Sequence, residues 1–326
     1  MIQKVYNTIF FGTPDFAVPV LGILNSLKEI NIILVVTQPD KPVGKKQIMT
    51  APPIKIFSEK NKLKVIQPKE IKSEKIRLKL QELKPDLAIV AAYGKIIPTG
   101  LLKIPEHGWL NIHASLLPKY RGASPIQSAI LAGEKISGVT LMKIDSGLDT
   151  GMIISQKTTE ISPSDNFQTL HDKLSRLGTE IIKENLIDYL DQKIEPRPQN
   201  NSQATVTKII SRQDGRINWQ KSASYIERQI RAYNPWPGAY CIWPVSIIKS
   251  NKNLVKKIRV KVLSAEKSKN EIKLTPGYTQ KDGHSIIAGC GQGNLQLNKL
   301  QLEGKKPLEI NEFMRGYPGF TDAHLE

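Results

Sequence analysis

Cysteine is almost missing from this chain. Cys241 and Cys290 are the only two in 326 residues, which is too few for a disulfide framework. A single bridge would be possible, but two buried thiols in a reducing compartment are the simpler expectation. Long hydrophobic runs are missing as well: no window holds the roughly 18 uninterrupted apolar residues that a membrane span needs. The opening residues, MIQKVYNTIFFGTPDF, read as a short apolar strand running into a turn. They lack the small-residue cleavage site of a signal peptide. A cytoplasmic globular protein with no membrane partner is therefore expected. The first strand ends FFGTPDF, not G-x-G-x-x-G, and no GxxxxGK[ST] loop occurs, so neither NAD nor ATP is indicated. The five histidines, His107, His113, His171, His284 and His324, form no HExxH or Cys/His array, and no metal is expected.

Positive charge is present in excess. The formal net charge is +17, and it is unevenly spread. The first 205 residues hold 27 basic against 20 acidic side chains, and the last 121 hold 20 against 10, so the shorter part carries the larger surplus. Such a surplus fits a polyanionic partner, most simply nucleic acid. Lysine decorating solvated faces in a chain rich in Lys, Ile and Asn would look the same, and composition leaves the two readings even.

The order of apolar runs points to architecture. VYNTIFFG, NIILVVTQPD, LKVIQP, DLAIVAAYG, GWLNIHA and GVTLMKID read as strands, separated by helical patterns such as KEIKSEKIRLKLQEL and SPIQSAILAGE. Near-continuous apolar strands alternating with helices predict an α/β fold, a Rossmann-like, open and largely parallel sheet. A long amphipathic helix over SDNFQTLHDKLSRLGTEIIKENLIDYLDQK closes this part. The polar, Pro-bearing stretch IEPRPQNNSQAT then reads as a linker. Beyond it, one helical segment and short strands between Gly- and Lys-rich turns predict a small β-barrel of OB-like kind. The expected organisation is a catalytic domain over 1–190, a linker over 191–205 and a basic β-barrel domain over 206–326.

The stretch NIHASLLPKYRGASPIQSAI carries the chemistry that can be read from residues. Asn111 and His113 lie two apart on a strand and so share a face, while Ile112 points the other way. They fall at a strand end, where open α/β sheets place their ligand crevice. The later loop KIDSGLDTG offers two carboxylates, Asp145 and Asp149. A carboxylate can hold an imidazole's tautomer, and an amide can donate to a developing oxyanion. No nucleophilic Ser or Cys is paired with the histidine in a known motif. Acyl or one-carbon transfer without a covalent enzyme intermediate is the chemistry that remains. A lone strand histidine is also a common core residue, and residue types alone leave both readings open.

NIHASLLPKYRGASPIQ followed by GVTLMKIDSGLDTGMII resembles the core of the 10-formyltetrahydrofolate-dependent formyltransferases. Similarity extends through FFGTPDFAVPVL, TQPDKPVGKK and AAYGKIIP, and into RAYNPWPGAY and LQLEGKKP, thus over almost the full length. The resemblance implies that Asn111, His113 and Asp149 are the catalytic trio, with Asp145 structural. It implies transfer of formyl from N10 of 10-formyltetrahydrofolate, the co-substrate, to the α-amine of methionine on initiator tRNA. Asn111 and protonated His113 would stabilise the formyl oxygen, while Asp149 supports His113 and manages the amine proton. Ser115, Leu116, Leu117 and Pro118 would wrap the folate, and Tyr93, Gly94, Lys95 and Ile96 would meet its pterin by backbone and apolar contacts. Phe16 would line the methionine side of the cleft. Lys41, Lys45 and Lys46, in the loop QPDKPVGKKQIMTAPPIK, would grip phosphates of the tRNA acceptor stem. The family has Arg-Gly where this chain has Lys45-Lys46, so a planar, bidentate phosphate contact is lost there. A monomer is expected. The same trio would serve a formyltransferase acting on a small amine such as a nucleotide-sugar, and the basic C-terminal part is what separates the two readings.

Overall fold

An apolar run such as YNTIFFG has no face to spare for water, and in the structure it is a central, buried strand. The computed structural model describes residues 4–44, 46–249 and 252–326. The chain divides into two units. One takes residues up to Pro125 together with Ile136–Glu160 and Leu170–Lys208; the other takes Ile126–Lys135, Ile161–Thr169 and Ile209–Glu326.

The first unit is built on β1 (Tyr6–Gly12), α1 (Ala17–Ser26), β2 (Ile30–Val36), the short β3 (Lys41–Val43) and β4 (Ile48–Thr50), α2 (Pro53–Lys60), β5 (Val65–Ile66), α3 (Glu74–Leu83), β6 (Leu87–Ala91), β7 (Trp109–His113) and β8 (Arg121–Gly122). After α4 (Pro125–Ala132), assigned almost wholly to the other unit, it continues with β9 (Ile136–Lys143), β10 (Ile153–Glu160), most of α5 (Phe167–Leu190) and β11 (Val206–Thr207). Helix α1 buries Ala17, Val20, Leu21 and Leu24, the i, i+3, i+4, i+7 face of an amphipathic helix. The seven-stranded sheet runs β10-β9-β7-β6-β1-β2-β5. β5, β2, β1, β6 and β7 are parallel neighbours, while β9 and β10 add an antiparallel edge. From β1 the chain first moves outward through β2 to β5, then returns to place β6 on β1's other side. That reversal opens a crevice beyond the carboxyl ends of β1 and β6, with β7 next in line. One core layer packs Phe11, Leu34, Val90, Tyr93 and Trp109 together, with the Phe11 ring edge-on to Tyr93.

The second unit carries α6 (Ala223–Ala232), whose Ser222 cap accepts from the Tyr225 N–H. Its sheet is formed by β12 (Tyr240–Lys249), β13 (Lys252–Lys267), β14 (Thr279–Asp282), β15 (Ser285–Gly289), β16 (Asn294–Leu302) and β17 (Leu308–Glu309), followed by α7 (Ile310–Gly316). The strand order is β12-β13-β16-β15-β14, with β17 on β16, and every pairing is antiparallel. Irregular register between Val262 and Ala265 bends β13 and lets the sheet curl. Among the described residues no ladder joins β12 to β14, so the expected barrel is a half-barrel. Ile226, Trp243, Val260, Leu297, Phe313 and Phe320 fill its concave side. No helix among the described residues is long and apolar enough to cross a membrane.

Candidate active site

Strand ends beside the crevice are tied to one another. The Tyr93 carbonyl, just past β6, accepts from the Thr13 hydroxyl at 3.0 Å and from the Gln38 amide at 2.8 Å. The first segments after β1, β2 and β6 therefore meet at a single oxygen. Register places Asn111 of β7 opposite Val90 on one side and Met142 on the other, and His113 opposite Thr140. Ile112, between them, is 2% exposed and faces the packing. Asn111 is half-buried, and among the described residues its amide makes no hydrogen bond, which leaves it available to a ligand. His113 is 6% exposed.

His113 Nε2 lies 2.9 Å from the Tyr120 carbonyl oxygen. A carbonyl only accepts, so Nε2 carries the proton and Nδ1 is the nitrogen whose proton can come and go. Nδ1 faces Asp149 Oδ2 at 3.7 Å, close enough for attraction but too far for a direct hydrogen bond. Asp149 has a left-handed backbone (φ 53°), unusual for a residue with a side chain. The same Oδ2 accepts from the Gly122 N–H at 2.8 Å, and among the described residues Oδ1 makes no hydrogen bond. Asp145 does something else: its Oδ1 accepts from the Gly147 N–H and the Thr150 hydroxyl and folds the loop. Gly151 is where that loop crosses β9. A Cβ there would stand 1.9 Å from the Lys143 carbonyl oxygen, so only glycine permits the approach.

The residues expected around a folate divide by what they present. Ser115 is 1% exposed and its hydroxyl donates to the Lys119 carbonyl; Leu117 is buried against Met142 and Ile153. Leu116 lies over Gly138, whose absent Cβ makes room for it, and Pro118 follows a cis peptide. The Ser115–Pro118 turn is held from β9 and β10. The Thr140 hydroxyl donates to the Ser115 carbonyl and accepts from the Leu117 N–H, and the Gln156 amide donates to the Leu117 carbonyl. Tyr93 has its side chain in the core, where burial pushes its hydroxyl up to about 12, so it has only backbone to offer. Gly94 and Ile96 are exposed, Ile96 at 82%. Phe16 is 4% exposed, its ring edge-on to His171.

The basic loop is a built element. β3 and β4 pair as a short hairpin that carries exposed Lys41 and, at its turn, exposed Lys46; Lys45 lies outside the described residues. Its root is fastened by the Asp40–Lys55 ion pair at 2.8 Å, by Gln67, which donates to Asp40 and to the Gln38 carbonyl, and by Lys41 Nζ donating to Gln38. Lys55 and Gln67 hydrogen bonds hold the Asp40 carboxyl below its ordinary range.

Other groups at the site had no sequence signal. The Tyr120 carbonyl and the Gly122 N–H act through backbone, and Thr140 and Gln156 sit in strands that read as ordinary amphipathic sequence. Arg121 and Gln199 are 78 residues apart in the chain and meet only in the fold. Among the described residues no three His, Cys, Asp or Glu side chains cluster as a metal site requires.

Comparison with known proteins gives the family. Residues 6–186 match the family described as formyl transferase, and residues 209–318 match the formyl transferase C-terminal domain. A methionyl-tRNA formyltransferase of Thermodesulfovibrio yellowstonii is 45% identical over 94% of this chain and 95% of its own. One from Geobacter metallireducens is 40% identical over 98% and 99% respectively. Among solved structures, the N-formyltransferase of Helicobacter canadensis, in complex with folinic acid and dTDP-3-aminofucose, superposes with a TM-score of 0.64. It is 22% identical, and the match covers 90% of this chain and 99% of that one. HypX of Aquifex aeolicus in complex with tetrahydrofolic acid superposes at 0.57 with 17% identity, and this chain spans 48% of that longer protein. Identity below a quarter speaks for the fold alone; identity of 40–45% over nearly the whole length speaks for more. The chain belongs to the formyl transferase family and, within it, to the methionyl-tRNA formyltransferases.

Proposed function

We propose that this chain transfers the formyl group of 10-formyltetrahydrofolate to the α-amine of methionine carried on initiator tRNA, the step that prepares the aminoacyl-tRNA for translation initiation. The observation that carries the reading is full-length identity of 40–45% to methionyl-tRNA formyltransferases, spanning both the sheet with the trio and the basic C-terminal unit. The residues fit a folate co-substrate, whose N10-formyl supplies the carbon. Backbone at Gly94 and the exposed Ile96 lie past β6, at the crevice, and offer polar and apolar contact to a pterin.

The hydrogen bonds around the trio support a division of roles. Asn111 donates to the formyl oxygen as negative charge collects there, which is typically worth about 2.7–4 kcal/mol for one preorganised donor. Protonated His113 adds its positive charge beside that oxygen. Asp149 receives the amine proton at Oδ1 while Gly122 holds Oδ2, and the carboxylate stabilises the imidazolium across 3.7 Å. As the new N–C bond forms and the N10–C bond breaks, the leaving N10 takes a proton back from this pair. The Ser115–Pro118 turn, with Leu116 half-exposed, forms the folate wall, and Phe16 backs the methionine side. Lys41, Lys46 and Lys45 contact acceptor-stem phosphates. The unit containing 209–326 adds the rest of the electrostatic grip. All three candidate catalytic residues come from one chain, so a monomer suffices, and its workplace is the cytoplasm, where charged initiator tRNA is made.

The second reading, a nucleotide-sugar amine as acceptor, draws on neighbours with only 22% identity and is the weaker. Formyl transfer measured with charged initiator tRNA, free methionine and a nucleotide-sugar amine decides. Transfer to the charged tRNA alone is expected; transfer to the sugar amine with the tRNA inert would overturn the proposal.

A further inference from the structure

The segment that composition marks as a linker is bonded into the candidate site. Thr205 accepts from the Tyr120 N–H at its hydroxyl (2.8 Å) and from the Arg121 N–H at its carbonyl (2.9 Å). Val206 and Thr207 then pair with Arg121 and Gly122 as β11 on β8. The Thr207 hydroxyl also donates to the Arg121 carbonyl and accepts from the Ser124 N–H. So the strap at 205–207 fixes both backbone groups that hold the pair: the Tyr120 carbonyl on His113 and the Gly122 N–H on Asp149.

Gln199, earlier in the same strap, reaches Asp149 directly. Its amide nitrogen donates to the Asp149 and Gly151 carbonyls, both at 2.8 Å. Its oxygen accepts from Arg121 Nε at 3.1 Å and Nη2 at 2.8 Å. Arg121 is 7% exposed, and its Nη2 also donates to Asn201 at 2.7 Å. A guanidinium can only donate, so it fixes which end of the Gln199 amide is oxygen and which is nitrogen. By polarising that amide it also strengthens both N–H donations. The recipient matters. Asp149 sits in a left-handed backbone conformation that an ordinary residue holds only when its surroundings over-determine it. Rotation of the 149–150 peptide would swing the carboxylate away from Nδ1.

We infer that Gln199, oriented by the buried Arg121, is a positioning residue for Asp149, and that the 199–207 strap is part of the catalytic machinery. This rests on the proposed role of Asp149. Two variants test it. Gln199→Leu removes the donor and the acceptor; Gln199→Glu keeps size and the Arg121 acceptor but has no N–H to give and turns a carboxylate toward two carbonyls. Each should lower kcat by about tenfold while KM for 10-formyltetrahydrofolate and for charged tRNA stays within about twofold, the pattern of a group that acts on the transition state. In an Asp149→Asn background the same substitutions should change kcat by less than about twofold, because coupled residues are not additive. Thermal melts identify any variant that fails to fold, and the other variant then carries the test.

If Asp149→Asn loses activity while both Gln199 variants keep wild-type kcat, the strut is overturned and the proposed role of Asp149 stands. If the Gln199 substitutions cost the same factor with and without Asp149, the inference is overturned as well. Full activity of Asp149→Asn alone would overturn the role of Asp149, and the strut's with it.

Discussion

At Asp149 and Gly151 one residue type is dictated by two different constraints. Asp149 sets its carboxylate 3.7 Å from the imidazole from a left-handed backbone. Gly151 needs nothing at all, because the Lys143 carbonyl occupies the space of a Cβ. Gly151→Ala must push the loop off β9 and carry Asp149 with it. A displacement near 1 Å is enough to cost on the order of 100-fold in rate. Single-turnover transfer by this variant should show that loss, and the crystal structure should show a moved 145–151 loop. A variant with wild-type rate would mean that Asp149 need not be where it is. Of the candidate site, the strand pair Asn111 and His113 was legible because period-2 alternation is a local property. The tautomer of His113 was not, since it depends on the carbonyl of Tyr120, seven residues later and outside the strand.

At the scale of elements, the hairpin β3–β4 shows how a cationic loop can be presented without being loose. It exposes Lys41, Lys46, Val43, Ile48 and Met49, and its root is closed by Asp40, Lys55 and Gln67. The Asp40 carboxyl is held below its ordinary range, chiefly by the Lys55 hydrogen bond. A carboxylate with a lowered native pKa stabilises the closed root above the unfolded value, about 3.9, and the contribution is lost as pH falls through the lowered native value. Amide exchange across residues 41–50, corrected for intrinsic rates, should therefore be pH-independent near neutrality and accelerate in that acid window. In Asp40→Asn it should be faster already at pH 7, with the global Tm unchanged because the pair is solvent-accessible. Equal exchange in both proteins would show that the hairpin closes without its ion pair. The lysines are plain in the sequence and the hairpin is not, because KPV and IMT are too short and too exposed to leave a periodic signature. For the same reason the linker-like stretch and the two residues after it hid a strap: two scattered amides and two residues of strand have no pattern of their own.

At the scale of the whole molecule, two cores account for the scarcity of cysteine. Cys241 and Cys290 are free, buried in the core of the second unit, and serve as small apolar side chains. Desolvation pushes both thiols up to about 12, so almost no thiolate exists at pH 8. The native protein should give no reaction with a chromogenic disulfide reagent at pH 8, and two equivalents should appear in denaturant. A fast native equivalent would place one thiol at the surface. The parallel strand succession was legible because β1, β2 and β6 are near-continuous apolar runs, as strands covered on both faces are. The second unit is the curled antiparallel sheet expected of a small OB-like barrel; how far it closes is encoded by no local pattern, and among the described residues β12 and β14 are not paired.

By itself the sequence determined the apolar strands, the amphipathic helices, the face shared by Asn111 and His113, and the family, since each follows from local periodicity or from a contiguous motif. Only the tertiary structure decided which nitrogen of His113 keeps its proton, which oxygen of Asp149 is free and which residue holds Asp149 in place. Those depend on groups brought together by chain crossings of 7 to 78 residues, and a hydrogen bond between distant backbone and side-chain atoms has no sequence signature because any polar residue could have made it.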